Sequence, residues 1–246
     1  MIANQTIAVE FKRVMKSFGA KRVLNDVSFH IEQGQAMCLL GRSGTGKSVT
    51  LKLITALMRP DSGEVWVDQD NVVGMGEHRL SLVRKKLGYL FQDAALFDSL
   101  TLYENLALPL NRLTKKSKDE IDDVIQRVLA DVGLGADGGK YPSALSGGMR
   151  KRAGLARALV LEPKILLADE PSSGLDRITA AEIDELLTRR KVEHGTALII
   201  VTHDVHGARK TADRVAVLDK GSLVAFGSVD EVSQSESEVA RRLITE

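Results

Sequence analysis

The chain has 246 residues, of which 43% are hydrophobic and 27% are charged, and its formal net charge is +1 at pH 7. This length and hydrophobic content are enough for one large domain or two small ones. The near-neutral charge gives no electrostatic reason to expect nucleic acid or an anionic membrane surface as a direct partner, so we expect neither.

The single cysteine, Cys38, rules out an intrachain disulfide and lies in the apolar run AMCLL, where we expect a buried thiol. The start MIANQTIAVEFKRV lacks the long apolar stretch of a signal peptide. The most apolar segments, such as ALIIV, fall far short of the ~20 residues that span a bilayer. We therefore expect a cytoplasmic protein that does not insert into a membrane and reaches one only through a partner.

The first part of the chain predicts strands around one helix. IAVEFKRV and RVLNDVSFHI are rich in the β-branched and aromatic residues typical of strands. AMCLL is typical of a strand buried on both faces, and GKSVTLKLITALM after it predicts a helix that ends at Arg59-Pro60. DSGEVWV predicts a turn and a strand, and LGYLFQD predicts a strand that ends in polar residues.

The pattern changes after FQD. Residues 119–133 carry apolar side chains at spacings of three and four, which predicts an amphipathic helix, and a second helix follows LSGG. Then KILLADE, ALIIV and RVAVLD return as short apolar strands separated by helices, as in a parallel sheet with βαβ connections. The tail SQSESEVARRLITE is polar and is either a terminal helix or partly loose.

The stretch GRSGTGKS fits the phosphate-loop pattern and lies between a buried strand and a helix. Its glycines let backbone N–H groups point at phosphate oxygens, and the helix start adds its positive end. Lys47 would neutralise the β and γ phosphates, and Ser48 would ligate Mg²⁺. A glycine-rich turn that binds nothing would not need this lysine, this serine or this context. The phosphate loop consists of Gly41, Arg42, Ser43, Gly44, Thr45, Gly46, Lys47 and Ser48.

Two carboxylates follow the apolar run in KILLADEP. Asp169 stands where a strand-end aspartate would face the metal, and Glu170 can polarise a water for attack on the γ phosphate. Two carboxylates after a strand can also be a helix cap, but the phosphate loop favours the catalytic interpretation. A second stretch, ALSGGMRKRAGLARAL, also has the glycines and basic helix start that suit a phosphate, far from the first site in sequence.

Several motifs together resemble the ATPase subunits of ABC transporters, and the resemblance covers nearly the whole chain. LSGGM resembles the family's signature motif, and SSGLD resembles its D-loop. Gln92 in FQD is similar to the Q-loop, and His203 in VTHD is similar to the H-loop. Phe18 in KSFGA stands where the family places an aromatic ring under the adenine.

The resemblance implies an α/β fold: a P-loop ATPase core with a mainly parallel sheet, an N-terminal antiparallel β subdomain and an inserted helical subdomain. Residues 1–246 would be a single ABC ATPase domain. Within it, residues 1–92 and 163–246 would form the core with the β subdomain, and residues 93–162 would form the helical subdomain that carries the signature motif.

The resemblance also implies roles for individual residues with ATP and Mg²⁺ as ligands. Glu170, His203 and Gln92 would act in catalysis, while Ser48, Gln92 and Asp169 would hold the metal. In this family two copies pair head to tail, which would explain the second phosphate-like stretch. The residues that would then contact the nucleotide of the other copy are Ser146, Gly147, Gly148 and Asp176.

Each of these residues also has a simpler interpretation. Phe18 alone is more often a core residue, and Gln92 alone is usually a surface amide. His203 and His206 could be a metal pair, although no third ligand is evident, and the resemblance favours His203 as a γ-phosphate contact. The run Arg150–Arg152 could be merely a solvated face.

The cargo is predicted less directly. LSGGMRKR, LTLYENLALPL and GLDRITAAEIDELL resemble the ATPases of Mla/Mce-type phospholipid transporters, although the C-terminal extension that grips a neighbouring ATPase in some members is expected to be short or missing. The main partner would be a membrane permease at the cytoplasmic face, docked near Gln92 and the apolar stretch LFDSLTLYENLALPL. Two alternatives stay open: an ABC ATPase for another cargo, such as an amino acid or a metal, and a non-transport ABC ATPase for cell division or cluster assembly.

Overall fold

Strands and helices alternate along residues 6–245, the part of the chain that the computed structural model describes, apart from the side chain of His206. The strands are β1 (Ile7–Phe18), β2 (Lys21–Glu32), β3 (Ala36–Leu40), β4 (Ser62–Val67), β5 (Asp70–Asn71), β6 (Leu87–Leu90), β7 (Ile165–Asp169), β8 (Ala197–Val201), β9 (Arg214–Asp219) and β10 (Ser222–Gly227). The helices are α1 (Lys47–Ile54), α2 (Glu77–Arg84), α3 (Leu102–Leu113), α4 (Lys118–Asp131), α5 (Gly147–Leu159), α6 (Arg177–His194), α7 (Val205–Thr211), α8 (Val229–Ser233) and α9 (Glu238–Thr245).

The strands form two sheets. The N-terminal sheet is antiparallel, with the order β2-β1-β4-β5. The second sheet has the order β10-β9-β3-β8-β7-β6, and all its pairings are parallel except that of β10 with β9. The predicted α/β class, with an antiparallel N-terminal part and a mainly parallel core, is confirmed.

Strand β3 lies between two hydrophobic clusters because successive side chains of a strand point to opposite faces. Ala36, Cys38 and Leu40 pack with the helices, and Cys38 is fully buried as predicted. Met37 and Leu39 pack with the antiparallel sheet and α1. The apolar strand AMCLL is therefore shared by both halves of the core.

The parallel pairing fixes the position of the site. Strands β3, β6, β7 and β8 run in the same direction, so their carboxyl ends meet at one edge of the sheet. Residues 41–48, 91–92, 170 and 202–203 each follow one of these strands directly. In open α/β sheets ligands bind at this edge.

Helix α1 is shorter than predicted and ends at Ile54, not at Arg59-Pro60. Ala56 turns the chain with a left-handed φ of 51°. The side chain of Arg84 donates hydrogen bonds to the main-chain oxygens of Thr55 at 3.0 Å and of Ala56 at 3.2 Å. These bonds satisfy main-chain carbonyl groups just beyond the last residue of α1, so a long-range contact stabilises the turn where the helix ends.

Residues 93–162 contain three α-helices and a short 3₁₀ helix (Pro142–Ala144) where the sequence predicted two helices. Helices α4 and α5 agree with the prediction, but α3, which has Pro109 inside it, was not predicted. A reciprocal capping box between Thr101 and Glu104 starts α3, and this T-x-x-E pattern could have revealed it. The polar tail forms α9, with Ile244 buried, so of the two expectations the terminal helix is correct. Nowhere in residues 6–245 is a helix both long and apolar enough to cross a membrane.

Candidate nucleotide site

A cleft of about 550 Å³ opens at the carboxyl edge of the parallel strands. The phosphate loop forms one wall, and Leu243 of α9 also reaches the cleft. Gly46 has a φ of 109°, and a Cβ there would lie 2.6 Å from Leu24 and 2.9 Å from the carbonyl oxygen of Val23, so only glycine fits. Predicted site residues that line the cleft are Gly41, Arg42, Ser43, Gly44, Gly46, Lys47, Ser48, Gln92, Asp169, Glu170 and His203.

Lys47 is held in the phosphate loop by the loop's own backbone. Its Nζ atom donates hydrogen bonds to the carbonyl oxygens of Gly41 at 2.8 Å and Arg42 at 3.1 Å. Burial lowers the pKa of Lys47, while the negative charges of Glu170 and Asp169 partly oppose this shift. The ammonium group thus sits among backbone dipoles beside the space where phosphate oxygens would bind. Thr45 of the same loop turns inward, and its Oγ1 donates to the carbonyl of Arg42 at 2.9 Å.

Ser48 and Asp169 meet across the cleft. The Ser48 hydroxyl donates to Oδ1 of Asp169 at 3.3 Å. Burial raises the pKa of Asp169 above its usual range, and the charge of Glu170 adds to this effect, whereas Ser48 and Lys47 oppose it. A hydroxyl, a carboxylate and the nearby amide of Gln92 are hard oxygen donors that fit Mg²⁺, and a bound cation would relieve the unfavourable carboxylate charge.

Glu170 directs its carboxylate from an unusual backbone conformation, with a φ of 50°. Its N–H donates to the carbonyl of Val201 at 2.8 Å. Its carbonyl oxygen accepts hydrogen bonds from Lys151 at 2.9 Å and from the Ser173 hydroxyl at 3.1 Å. The side-chain oxygen Oε2 lies 2.8 Å from Nδ1 of His203. The structure therefore brings these two predicted catalytic residues into direct contact.

Phe18 does not line this cleft. It ends β1 with 48% of its surface exposed, and Nζ of Lys16 lies 5.5 Å from the ring centroid. The simpler interpretation as a core residue is wrong, because the ring is accessible. Its role as an adenine platform stays a prediction.

The four residues assigned to the nucleotide of another copy are likewise absent from the lining of this cleft, as far as residues 6–245 show. Ser146 caps α5, accepting a hydrogen bond from the N–H of Met149 at 3.3 Å, and Gly147 and Gly148 form the first turn. Asp176 caps α6 through the N–H groups of its second and third residues, at 3.0 and 3.1 Å. Both segments are helix N-termini, which favour anions.

The run Arg150–Arg152 is not a uniform solvated face. Arg150 is exposed, but Lys151 has only 8% of its surface exposed. Lys151 donates hydrogen bonds to the main-chain oxygens of Gln92 and Glu170. Sequence patterning could not distinguish these neighbours, because the partners of Lys151 come from two distant loops.

The interpretation of His203 and His206 as a metal pair stays untested: Nδ1 of His203 contacts Glu170, and this contact does not involve Nε2. The side chain of His206 lies outside the described part of the structure. Within that described part, no group of three or more histidine, cysteine, aspartate or glutamate side chains could hold a metal ion.

Comparison with known proteins agrees with this fold and site. The family model described as ABC transporter matches residues 24–173. The probable ribonucleotide transport ATP-binding protein mkl of Mycobacterium leprae is 44% identical over 97% of this chain and 69% of its own length. Its Mycobacterium tuberculosis (strain ATCC 25618 / H37Rv) counterpart is 43% identical over 97% of this chain and 66% of its own length, so the chain spans about two thirds of these relatives. The methionine import ATP-binding protein MetN of Leifsonia xyli is 40% identical over 96% of this chain and 70% of the relative.

Solved structures show the same similarity. A dimeric ATP-binding cassette in a post-hydrolysis state with ADP and Pi has a TM-score of 0.83 and 32% identity, covering 89% of this chain and 98% of that one. The structure of cbiO1 from Clostridium perfringens, part of the ABC transporter complex cbiONQ, has a TM-score of 0.84 and 25% identity, covering 97% of this chain and 99% of that one. Fold and phosphate loop together define a P-loop ATPase. The chain belongs to the ABC transporter family and is the ATPase subunit of such a transporter.

Proposed function

We propose that ATP is hydrolysed in the cleft with Glu170 as the general base and with His203 and Gln92 at the γ phosphate. The observation that supports this assignment is the convergence of Lys47, Asp169 and Glu170 on one cleft behind the phosphate loop. Lys47 and the loop amides would bind the β and γ phosphates, and Glu170 would accept a proton from the attacking water. Ser48, Asp169 and Gln92 would hold Mg²⁺, which neutralises phosphate charge when bound.

We infer that the site is completed by a second copy. Ser146 and Asp176 stand at helix N-termini outside the cleft of their own chain, and a cassette similar to this chain is dimeric. In a head-to-tail pair, residues 146–148 would meet the γ phosphate in the partner's phosphate loop. Turnover per chain should then rise with protein concentration. A turnover that stays constant over a wide dilution series, with a monomer confirmed by light scattering, would contradict the shared site.

We propose that the permease docks on a groove beside the apolar stretch after Gln92 rather than on the whole stretch. Much of the apolar stretch after Gln92 is core, since Leu102 and Leu106 are fully buried. The exposed apolar surface is a groove of about 330 Å³ between β6, α3 and α5. At its rim Phe97 is 51% exposed, on a loop that the buried side chain of Asn105 holds through four hydrogen bonds. Residues that line the groove include Tyr89, Leu108, Pro109, Arg112, Leu113 and Leu161.

Crosslinking tests this groove. A cysteine placed at Phe97 or Leu113 should crosslink to an integral membrane protein when the complex is isolated from its native membrane. A cysteine at Leu82 is a control of similar exposure on α2, outside the groove. Native Cys38 is fully buried and will not compete. Crosslinks from Phe97 only to proteins that are not membrane-embedded would contradict the groove as the permease contact.

For the cargo we propose phospholipid transport of the Mla/Mce type, supported by the LSGGMRKR stretch with Met149 at the end of the signature motif. The MetN relatives favour a second candidate, an amino-acid importer, and the name mkl points to ribonucleotides. The isolated complex should contain bound phospholipid by mass spectrometry, and lipid should stimulate its ATPase. Stimulation by methionine or by ribonucleotides, with no lipid bound, would replace the lipid assignment.

A further inference from the structure

One face of α5 contacts the loop that follows β6 and holds it by hydrogen bonds. Lys151, Gly154 and Arg157 are three residues apart, so they share this face. Lys151 donates to the main-chain oxygen of Gln92, and Arg157 donates to the main-chain oxygens of Ala94 and Ala95. A Cβ at Gly154 would lie 2.7 Å from the Cβ of Ala94, so the glycine allows helix and loop to touch.

The backbone conformation of this loop explains why it needs these contacts. Ala94 and Ala95 have φ values of 58° and 50°, in the left-handed region that residues with a Cβ disfavour. Such a backbone persists only where its surroundings hold it in place. The hydrogen bonds from Lys151 and Arg157 supply that support and hold the loop at residues 92–95 against α5.

Lys151 differs from Arg157 because it also contacts the catalytic edge. Its Nζ atom donates to the main-chain oxygen of Glu170 at 2.9 Å, as well as to Gln92. Glu170 itself has a φ of 50°, so its backbone also needs support. Burial lowers the pKa of Lys151, while Asp93, Glu170 and Asp169 oppose the shift by their negative charges. The buried ammonium group of Lys151 therefore connects the Gln92 loop to the backbone of Glu170, the proposed base.

We propose that Lys151 is a positioning residue for hydrolysis, coupling the position of the Gln92 loop and α5 to the orientation of the Glu170 carboxylate. The proposal rests on the proposed role of Glu170. Lys151 touches main-chain oxygens only, so it acts through Glu170 rather than on the nucleotide. A movement of α5 that pulls on this ammonium would turn the Glu170 backbone and take its carboxylate out of the hydrolytic geometry.

The test is a double-mutant cycle on the full chain, with Lys151→Met and Glu170→Gln alone and together. Displacement of a catalytic group by about 1 Å lowers rates up to about 100-fold, so Lys151→Met should reduce kcat by about 10- to 100-fold. KM for ATP should change by less than about threefold, because no nucleotide contact is removed. In the Glu170→Gln background, adding Lys151→Met should lower the residual single-turnover rate by less than about twofold.

Lys118→Met is the matched control, since it makes the same change at an exposed position of α4 and should leave kcat at the parent value. If Lys151→Met does not fold, as judged by circular dichroism, Lys151→Gln replaces it, because its shorter amide cannot reach both carbonyls. An unchanged kcat, or an equal loss in both backgrounds, overturns the proposal for Lys151. A parent rate for Glu170→Gln alone overturns instead the assignment of the base.

Discussion

Nδ1 of His203 lies 2.8 Å from Oε2 of Glu170, and the N–H of His203 also donates to that oxygen at 3.4 Å. The Glu170 side chain is only 14% exposed, whereas that of His203 is 72% exposed. The histidine therefore restrains the carboxylate while much of its own ring stays accessible. This contact links the loop after β8 to the loop after β7 at the point where the γ phosphate is expected.

We predict that His203→Ala lowers kcat by about 10²-fold, since both an oriented base and a γ-phosphate contact would be lost. ATP affinity should change little, because Lys47 and the loop amides remain. Steady-state ATPase assays and equilibrium titration measure the two effects separately. His194→Ala, at an exposed position in the last turn of α6, is the control. A parent kcat for His203→Ala would mean that the contact with Glu170 is only structural.

We predict that Glu170→Gln lowers hydrolysis by about 10²- to 10⁴-fold, the usual contribution of general-base catalysis. The substitution keeps the shape of the side chain but removes its charge and basicity. ATP should still bind, so the uncleaved nucleotide should hold two copies together. Size-exclusion chromatography with ATP should then show a dimer that is absent without nucleotide.

Adding Ser146→Arg to Glu170→Gln should abolish that dimer, since a bulky cation would fill the space for the partner's phosphate. Ser117→Arg is the control, because the Ser117 hydroxyl likewise accepts from the N–H of the third residue of its helix, at the start of α4, although Ser117 also belongs to a capping box. It removes an N-cap of the same kind without touching the proposed interface. If the Ser146 variant still dimerises with ATP, residues 146–148 do not contact the partner's nucleotide.

Lys47→Ala should weaken ATP binding by about 10- to 100-fold, the effect of losing a hydrogen bond from a charged donor worth about 1.5–3 kcal/mol. Equilibrium titration with a fluorescent ATP analogue gives the affinity directly. Lys52→Ala removes an exposed lysine from the same helix and should leave the affinity unchanged. Equal affinities for the parent and Lys47→Ala would mean that the phosphate loop is misassigned.

Asp169→Asn should stabilise the nucleotide-free protein at neutral pH while abolishing Mg²⁺-dependent hydrolysis. Burial raises the pKa of Asp169 in the folded state, so ionisation favours the unfolded chain as pH rises above the ordinary aspartate pKa. Asparagine removes that charge and can still accept from Ser48. The gain in melting temperature should disappear below the ordinary aspartate pKa, where the carboxyl is protonated in both states.

Asp68→Asn is the same type of substitution, but we expect it to change the melting temperature in the opposite direction. Burial alone would raise the pKa of Asp68, but the ammonium groups of Lys86 and Lys164 outweigh it and hold the pKa below its usual range. This carboxylate stabilises the fold above its ordinary pKa and loses that effect as pH falls, so Asp68→Asn should lower the melting temperature at neutral pH. If Asp169→Asn and Asp68→Asn change the melting temperature in the same direction, the electrostatic argument is refuted.

The sequence predicted β1–β4, β6–β9, the phosphate loop and the carboxylates because each depends on a local pattern, whereas β5 and β10 were not predicted. The sequence could not predict the burial of Lys151. The two carbonyl oxygens that accept its hydrogen bonds, those of Gln92 and Glu170, are 78 residues apart in the chain. The end of α1 was also misplaced, at a turn that Arg84 stabilises by a hydrogen bond from another helix. Both features depend on tertiary hydrogen bonds, which a local sequence pattern does not reveal.

Strand β3, shared by both hydrophobic clusters, has a consequence for how the protein opens. Neither cluster can lose its packing without exposing one face of this strand, so the antiparallel sheet and the helical part should melt as one cooperative unit. Amide hydrogens of residues 36–40 should exchange with solvent only through global unfolding and be among the slowest in the chain. The phosphate loop, which begins at the next residue, is thus anchored to the last part of the molecule to open.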